Sequence, residues 1–128
     1  MNVDIDIPDQ LINDTIISAV EGGINYWISG IRFFNKDGEQ IVGVTENPLE
    51  NLSSITIVEA EGENGETEHT LHLSKTKFQE KPQQIYDGLQ RMAKQYPRHF
   101  ADMISENGDA TTADVFIQCC VLGEITYG

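Results

Sequence analysis

Glu21, Gly22, Gly23, Asn25, Tyr26 and Trp27, within the stretch AVEGGINYW, and Asp114, Gln118 and Glu124 near the other end are the residues whose types could build a site. Together they offer carboxylates, amides, a phenol and an indole. Such a set suits binding of an amine, a nucleobase or a sugar hydroxyl by stacking and hydrogen bonding. The glycines can let a ligand approach the backbone closely, or can let another helix do so. A phosphate-cradling loop does not fit, because such loops follow a strand, precede a helix and space their glycines more widely. Here Glu21 also sets a negative charge beside the glycines, where a phosphate would be repelled.

As catalytic equipment the set is poor. No histidine, cysteine or serine near it has a visible activating partner, and a bare carboxylate pair depends on geometry that sequence does not give. A metal held by Glu21, Asp114 and Glu124 is conceivable but has no supporting spacing. His69, His72 and His99 are not accompanied by further ligands, and no C-x-x-C pattern occurs, so no metal or other cofactor is expected. Cys119 and Cys120 are adjacent in an apolar run. A disulfide between neighbours strains the intervening peptide, so both are expected as buried thiols.

The 128 residues suit one domain over 1–128, with 39% apolar content sufficient for a single core. Charge is the stronger signal. Asp and Glu number 21 against 8 Lys and Arg, a formal net charge of −13. Phosphate backbones and anionic membranes repel such a chain, so direct nucleic-acid binding and membrane association are disfavoured. The same charge fits a surface that imitates DNA and occupies a basic groove on another protein. The start, MNVDIDIPDQL, has neither a basic region nor a long apolar run, which predicts no signal peptide, no anchor and a cytoplasmic location.

The elements that must position these residues follow from periodicity. After Pro8 and Asp9, residues Leu11, Ile12, Ile16, Ala19, Val20, Gly23, Ile24 and Trp27 recur at helical spacing, so a helix is expected to pass through or kink at the glycine pair. Each glycine costs about 1 kcal/mol in a helix interior, which some close contact should offset. WISGIRFF and QIVGV flank the turn residues Asn35-Lys36-Asp37-Gly38 and read as a hairpin. Asn47 to Asn51 reads as a loop. SITIVEA and TEHTLHLS alternate apolar with polar residues around EGENGE, a second hairpin whose acidic tip carries Glu59, Glu61, Glu63, Glu66 and Glu68. Either hairpin could leave an edge strand for pairing in a homodimer.

From Ser74 onward the pattern is helical. Phe78 is placed in a first turn, Pro82 at a helix start, and Ile85, Leu89 and Met92 on one face. Tyr96-Pro97 breaks that helix, and Phe100, Met103 and Ile104 suggest a short one before Asn107-Gly108. Six of the eight basic residues fall between Lys75 and Arg98, which sets a basic helical segment beside an acidic sheet. Thr111 or Thr112 is expected to cap a last helix from Ala113 to about Leu122, with Gly123 as its stop. The order predicts an α+β domain, with an N-terminal helix, two antiparallel β-hairpins and C-terminal helices packed on the sheet.

Both ends of the chain resemble a family of small phage-encoded proteins of uncharacterised function. The family's early amphipathic helix runs into EGG-x-x-YW, matched by Glu21-Gly22-Gly23-Ile24-Asn25-Tyr26-Trp27. Its ending, an acidic-alanine stretch, an apolar helix and FGE-x-x-YG, is matched by ATTADVFIQCCVLGEITYG, with Leu122 in place of the usual phenylalanine. The middle, from Phe33 to Lys94, departs freely. The resemblance implies a phage accessory protein made in the host bacterial cytoplasm, and carries over no catalytic residue. With the acidity and the lack of a catalytic constellation, it points to a non-enzymatic binder of a host bacterial protein, serving counter-defence or redirecting host metabolism. The alternative is a small-molecule binder that sequesters a nucleotide-like signal beside EGGINYW.

Overall fold

In the computed structural model, residues 7–44, 46–62, 65–75 and 81–128 are described. The expected features at residues 1–6, Glu63, Lys77 and Phe78 lie outside them. The first helix, α1, spans Asp9–Ser18. Pro8 precedes it, where a missing N–H costs nothing, and Asp9 sits in the positive end of its dipole. Its inward face is buried: Ile12 and Ile16, and Ala19 just beyond the helix, have no exposed surface, while Leu11 is half-buried. From Ala19 to Gly23 the helix widens into a π turn, with the Ile24 N–H donating to the Ala19 carbonyl five residues back, at 3.1 Å. There it ends, and a turn leads to β1. The helix thus passes through the glycine pair as its spacing predicts, distorted there into a π turn, and Ile24 and Trp27 beyond it still point into the core.

Four antiparallel strands form one sheet in the order β2-β1-β3-β4: β1 Ile28–Asn35, β2 Gln40–Ile41, β3 Leu52–Gly62 and β4 Gly65–His72. Register fixes the faces. Phe33, Ile55 and Leu71 lie opposite one another towards the helices, as do Ile31, Ile57 and His69. Arg32, Thr56 and Thr70 occupy the other face, where Arg32 pairs with Glu68. The β1–β2 turn forms as its residues dictate. The Asn35 side chain accepts the N–H of Asp37 and of Glu39, and Gly38 takes the left-handed conformation at φ 82°. Strand β2 is shorter than QIVGV suggests, because Gly43 at φ 79° turns the chain away and leaves Val42 exposed.

Where the sequence suggests a loop, Pro48–Asn51 forms the short helix α2. Its Leu49 N–H donates to the buried side chain of Asn13 on α1, which satisfies a donor that four residues cannot satisfy internally. Three helices follow: α3 Gln83–Gln95, α4 Pro97–Ile104 and α5 Ala110–Val121. Ile85, Leu89 and Met92 are all fully buried, as the periodicity of α3 requires. Helix α5 begins earlier than expected. Asp109, not a threonine, is its cap, and accepts the N–H of Thr111 and Thr112 at 3.0 and 3.1 Å. The chain is α+β, with the helices packed on one face of the sheet.

Edge pairing is partly pre-empted. The Gln84 amide accepts the His72 N–H at 2.8 Å and donates to the carbonyls of Thr70 and Cys120. One side chain of α3 thus occupies the Thr70–His72 end of the β4 edge, where a neighbouring strand would pair.

Candidate functional site

The two ends of the chain meet around Asp114. Its carboxylate is buried on α5 and takes three donors: Trp27 Nε1 at 2.8 Å and Gln118 Nε2 at 2.9 Å on Oδ1, and the Tyr26 hydroxyl at 2.5 Å on Oδ2. Gln118, one helical turn on, has no exposed surface. Its carbonyl oxygen accepts the N–H of Thr126 and Tyr127, at 2.7 and 3.0 Å, and its amide also donates to the Tyr127 carbonyl. A single side-chain amide thus holds the last residues as a strand neighbour would. The Tyr96 hydroxyl accepts the Ile125 N–H at 2.9 Å and completes the clasp.

Within the clasp, the Tyr127 ring stacks on Trp27, centroids 5.4 Å apart and planes within 6°. Stacking of this kind adds to what burial of the two rings already contributes. The Tyr127 hydroxyl donates to Glu59, whose other oxygen lies 2.8 Å from His69 Nε2. Polar contacts and one ring stack therefore run without a break from β4 through the tail to α5. The Tyr127 hydroxyl, and then His69, hold the Glu59 carboxyl below its ordinary value, outweighing desolvation. Burial pushes the Tyr26 phenol up to about 12, and the hydrogen bond and negative charge of Asp114 add to the rise. Tyr26 therefore remains a donor committed to Asp114 while the residue is 59% exposed.

The glycines divide their roles. A Cβ on Gly23 would meet the Ala110 carbonyl oxygen at 2.7 Å, so Gly23 is the notch into which the start of α5 fits. A Cβ on Gly22 would meet nothing within 4 Å. Gly22 lies instead on the wall of an open cleft of about 440 Å³, with Tyr26, Thr111, Asp114 and Gly128.

Of the residues singled out from sequence, Gly22, Gly23, Tyr26, Trp27, Asp114 and Gln118 come together here. Glu21, Asn25 and Glu124 do not. All three are exposed, and none joins the bonds to Asp114. A metal bridging Glu21, Asp114 and Glu124 thus has no basis, and among the described residues no group of three or more histidine, cysteine or carboxylate side chains is arranged to hold one. Cys119 and Cys120 are free buried thiols. Burial pushes the Cys119 thiol up to about 11 and raises that of Cys120 well above its ordinary value, which disfavours the reactive thiolate at both. Among the described residues, no helix is long and apolar enough to cross a membrane.

Sequence reasoning misses Glu59, His69 and Tyr127. The charge pattern groups Glu59 with the acidic hairpin tip, yet it is 8% exposed on the helix-facing side of β3. A signal exists: Glu59 follows Ile55 and Ile57 in the same inward phase of the alternation. No family model matches the chain, and no curated protein or solved structure shows significant similarity to it.

Proposed function

We propose that this is a phage accessory protein that works in the host bacterial cytoplasm by binding a basic surface of a host protein, without catalysis of its own. The observation that carries the reading is the distribution of charge. The formal net charge is −13, and among the described residues most acidic side chains are exposed, Glu21, Glu39, Glu50, Glu66, Glu106 and Glu124 among them. The two buried carboxylates are meanwhile held by neighbouring groups: Asp114 by three donors, Glu59 by Tyr127 and His69. A surface of this sign steers and orients basic partners, and it competes with nucleic acid for them. Counter-defence by DNA mimicry is one form of the activity, and redirection of host metabolism another.

The test is capture of host proteins from bacterial lysate on the tagged chain at low and at high salt, read by mass spectrometry. A stoichiometric host protein retained at low salt and released at high salt is expected. A clean preparation at low salt would end this reading and turn attention to sequestration of a small molecule.

A further inference from the structure

The cleft beside the π turn has a wall that the fold does not explain. Gly22 is helical rather than left-handed, so its backbone conformation does not require glycine. Nor does packing, since a Cβ there would touch nothing. Glycine at this point forgoes helix propensity with no internal return, whereas its neighbour Gly23 is fully accounted for by Ala110. What glycine does supply is a bare backbone on a cleft wall, which lets an incoming group lie flat against it.

The other walls define that group. The Tyr26 hydroxyl is committed to Asp114, so Tyr26 offers the cleft its exposed ring and not its hydroxyl. Each carboxylate oxygen can accept two hydrogen bonds. Oδ1 of Asp114 has two donors and Oδ2 has one, so one acceptor direction remains on Asp114, a residue of the cleft wall. Among the described residues, the cleft lining includes no basic side chain. A ring face, a vacant carboxylate lone pair and a flat backbone wall together suit a planar cation with hydrogen-bond donors on its edge. Guanidinium meets all three requirements: it stacks on an aromatic face, donates in its own plane and is weakly hydrated. An ammonium group meets only the charge.

We infer that the cleft bounded by Gly22, Tyr26 and Asp114 takes an arginine side chain of the partner protein, stacked on Tyr26 and donating to Asp114 Oδ2. This inference rests on the protein-binding reading above and names the contact that would anchor it.

Trp27 supplies the readout, because the chain has a single tryptophan and its indole donates to the same carboxylate. The experiment titrates N-acetyl-arginine methylamide against the intact chain and follows Trp27 emission, with the citrulline and lysine counterparts as controls. A saturable change with arginine, weaker by roughly tenfold for lysine and absent for citrulline, is expected. Gly22→Leu, whose Cβ meets nothing within 4 Å, should melt no lower than the parent and lose the response. Tyr26→Ala should also lose the response. No response to arginine, an equal response to citrulline, or an undiminished response in folded Gly22→Leu would overturn the inference. Because the probe is a small amide, these outcomes are independent of whether a host protein is captured. A captured partner that binds Gly22→Leu and Tyr26→Ala as tightly as the parent would remove the cleft while leaving the protein-binding reading in place.

Discussion

Asp114 is where the two ends of the chain become one structure, and its removal should show in both stability and titration. Asp114→Asn can keep Trp27 and Gln118 on its amide oxygen only by aiming its NH2 at the Tyr26 hydroxyl, which must then accept, and it removes the charge from all three bonds. A loss of about 1–3 kcal/mol is expected, measured by urea unfolding. The phenol of Tyr26 gives a finer test. Its folded value, about 12, is above the ordinary 10.0. The stabilisation linked to that rise is therefore fully present below pH 10 and is lost as pH climbs through about 12. In alkaline difference spectra of the parent and of Tyr26→Phe, the phenol lost with Tyr26 should be one that ionises late, and Asp114→Asn should move it back towards its ordinary range. For Glu59 the sign is reversed. Its folded value is below the ordinary 4.5, so its contribution is present above pH 4.5 and lost as pH falls through the folded value. Glu59→Gln should be less stable than the parent at neutral pH, and the gap should narrow on acidification below pH 4.5. These residue-level facts are only half legible in the sequence. Tyr26, Trp27, Asp114 and Gln118 declare themselves as polar or aromatic groups beside an apolar stripe. That Glu59 and Tyr127 join them depends on a tail folding back across the sheet, which no local pattern encodes.

At the scale of elements, the glycine pair separates two demands that sequence cannot tell apart. Gly23→Ala should cost about 1–3 kcal/mol, as overpacking against an unyielding neighbour does. The obstruction, at 2.7 Å, is a backbone carbonyl that cannot swing away. Gly22→Ala should be neutral or stabilise by up to about 1 kcal/mol, because it gains helix propensity and meets nothing. Thermal melts of the two variants settle the contrast. A second notch, Gly88 on α3, has no mark in the sequence: a Cβ there would fall against Cys120 Sγ and lie 3.1 Å from its Cα. The repeating pattern of Ile85, Leu89 and Met92 makes α3 legible, but nothing in it shows which residue meets another helix. The cap of α5 escapes sequence reading for a related reason. Asp109, Thr111 and Thr112 are all competent caps, and the choice falls to Asp109 because the helix has to begin at Ala110 to reach Gly23. Helix α2 escapes it because four residues carry no period, and its anchor, Asn13, lies in a different element.

For the whole molecule, the fold class is readable because strands and helices are segregated along the chain, while the pairing of β1 with β3, which merges two hairpins into one sheet, is a long-range choice. The thiols offer a global probe of that assembly. Cys119 and Cys120 are buried and both are pushed upward. Neither should react with a thiol reagent at mildly alkaline pH until the chain unfolds, and both should react in denaturant. Rapid native labelling would mean that the α3–α5 contact opens readily. The acidity is the other property of the whole, and it carries the functional claim. The most direct test is the affinity of the chain for its captured host protein as a function of salt concentration. Binding that weakens steeply as salt rises is the predicted result, since exposed carboxylates act through a field that salt screens. Affinity that stays level from low to high salt would contradict an electrostatic binder.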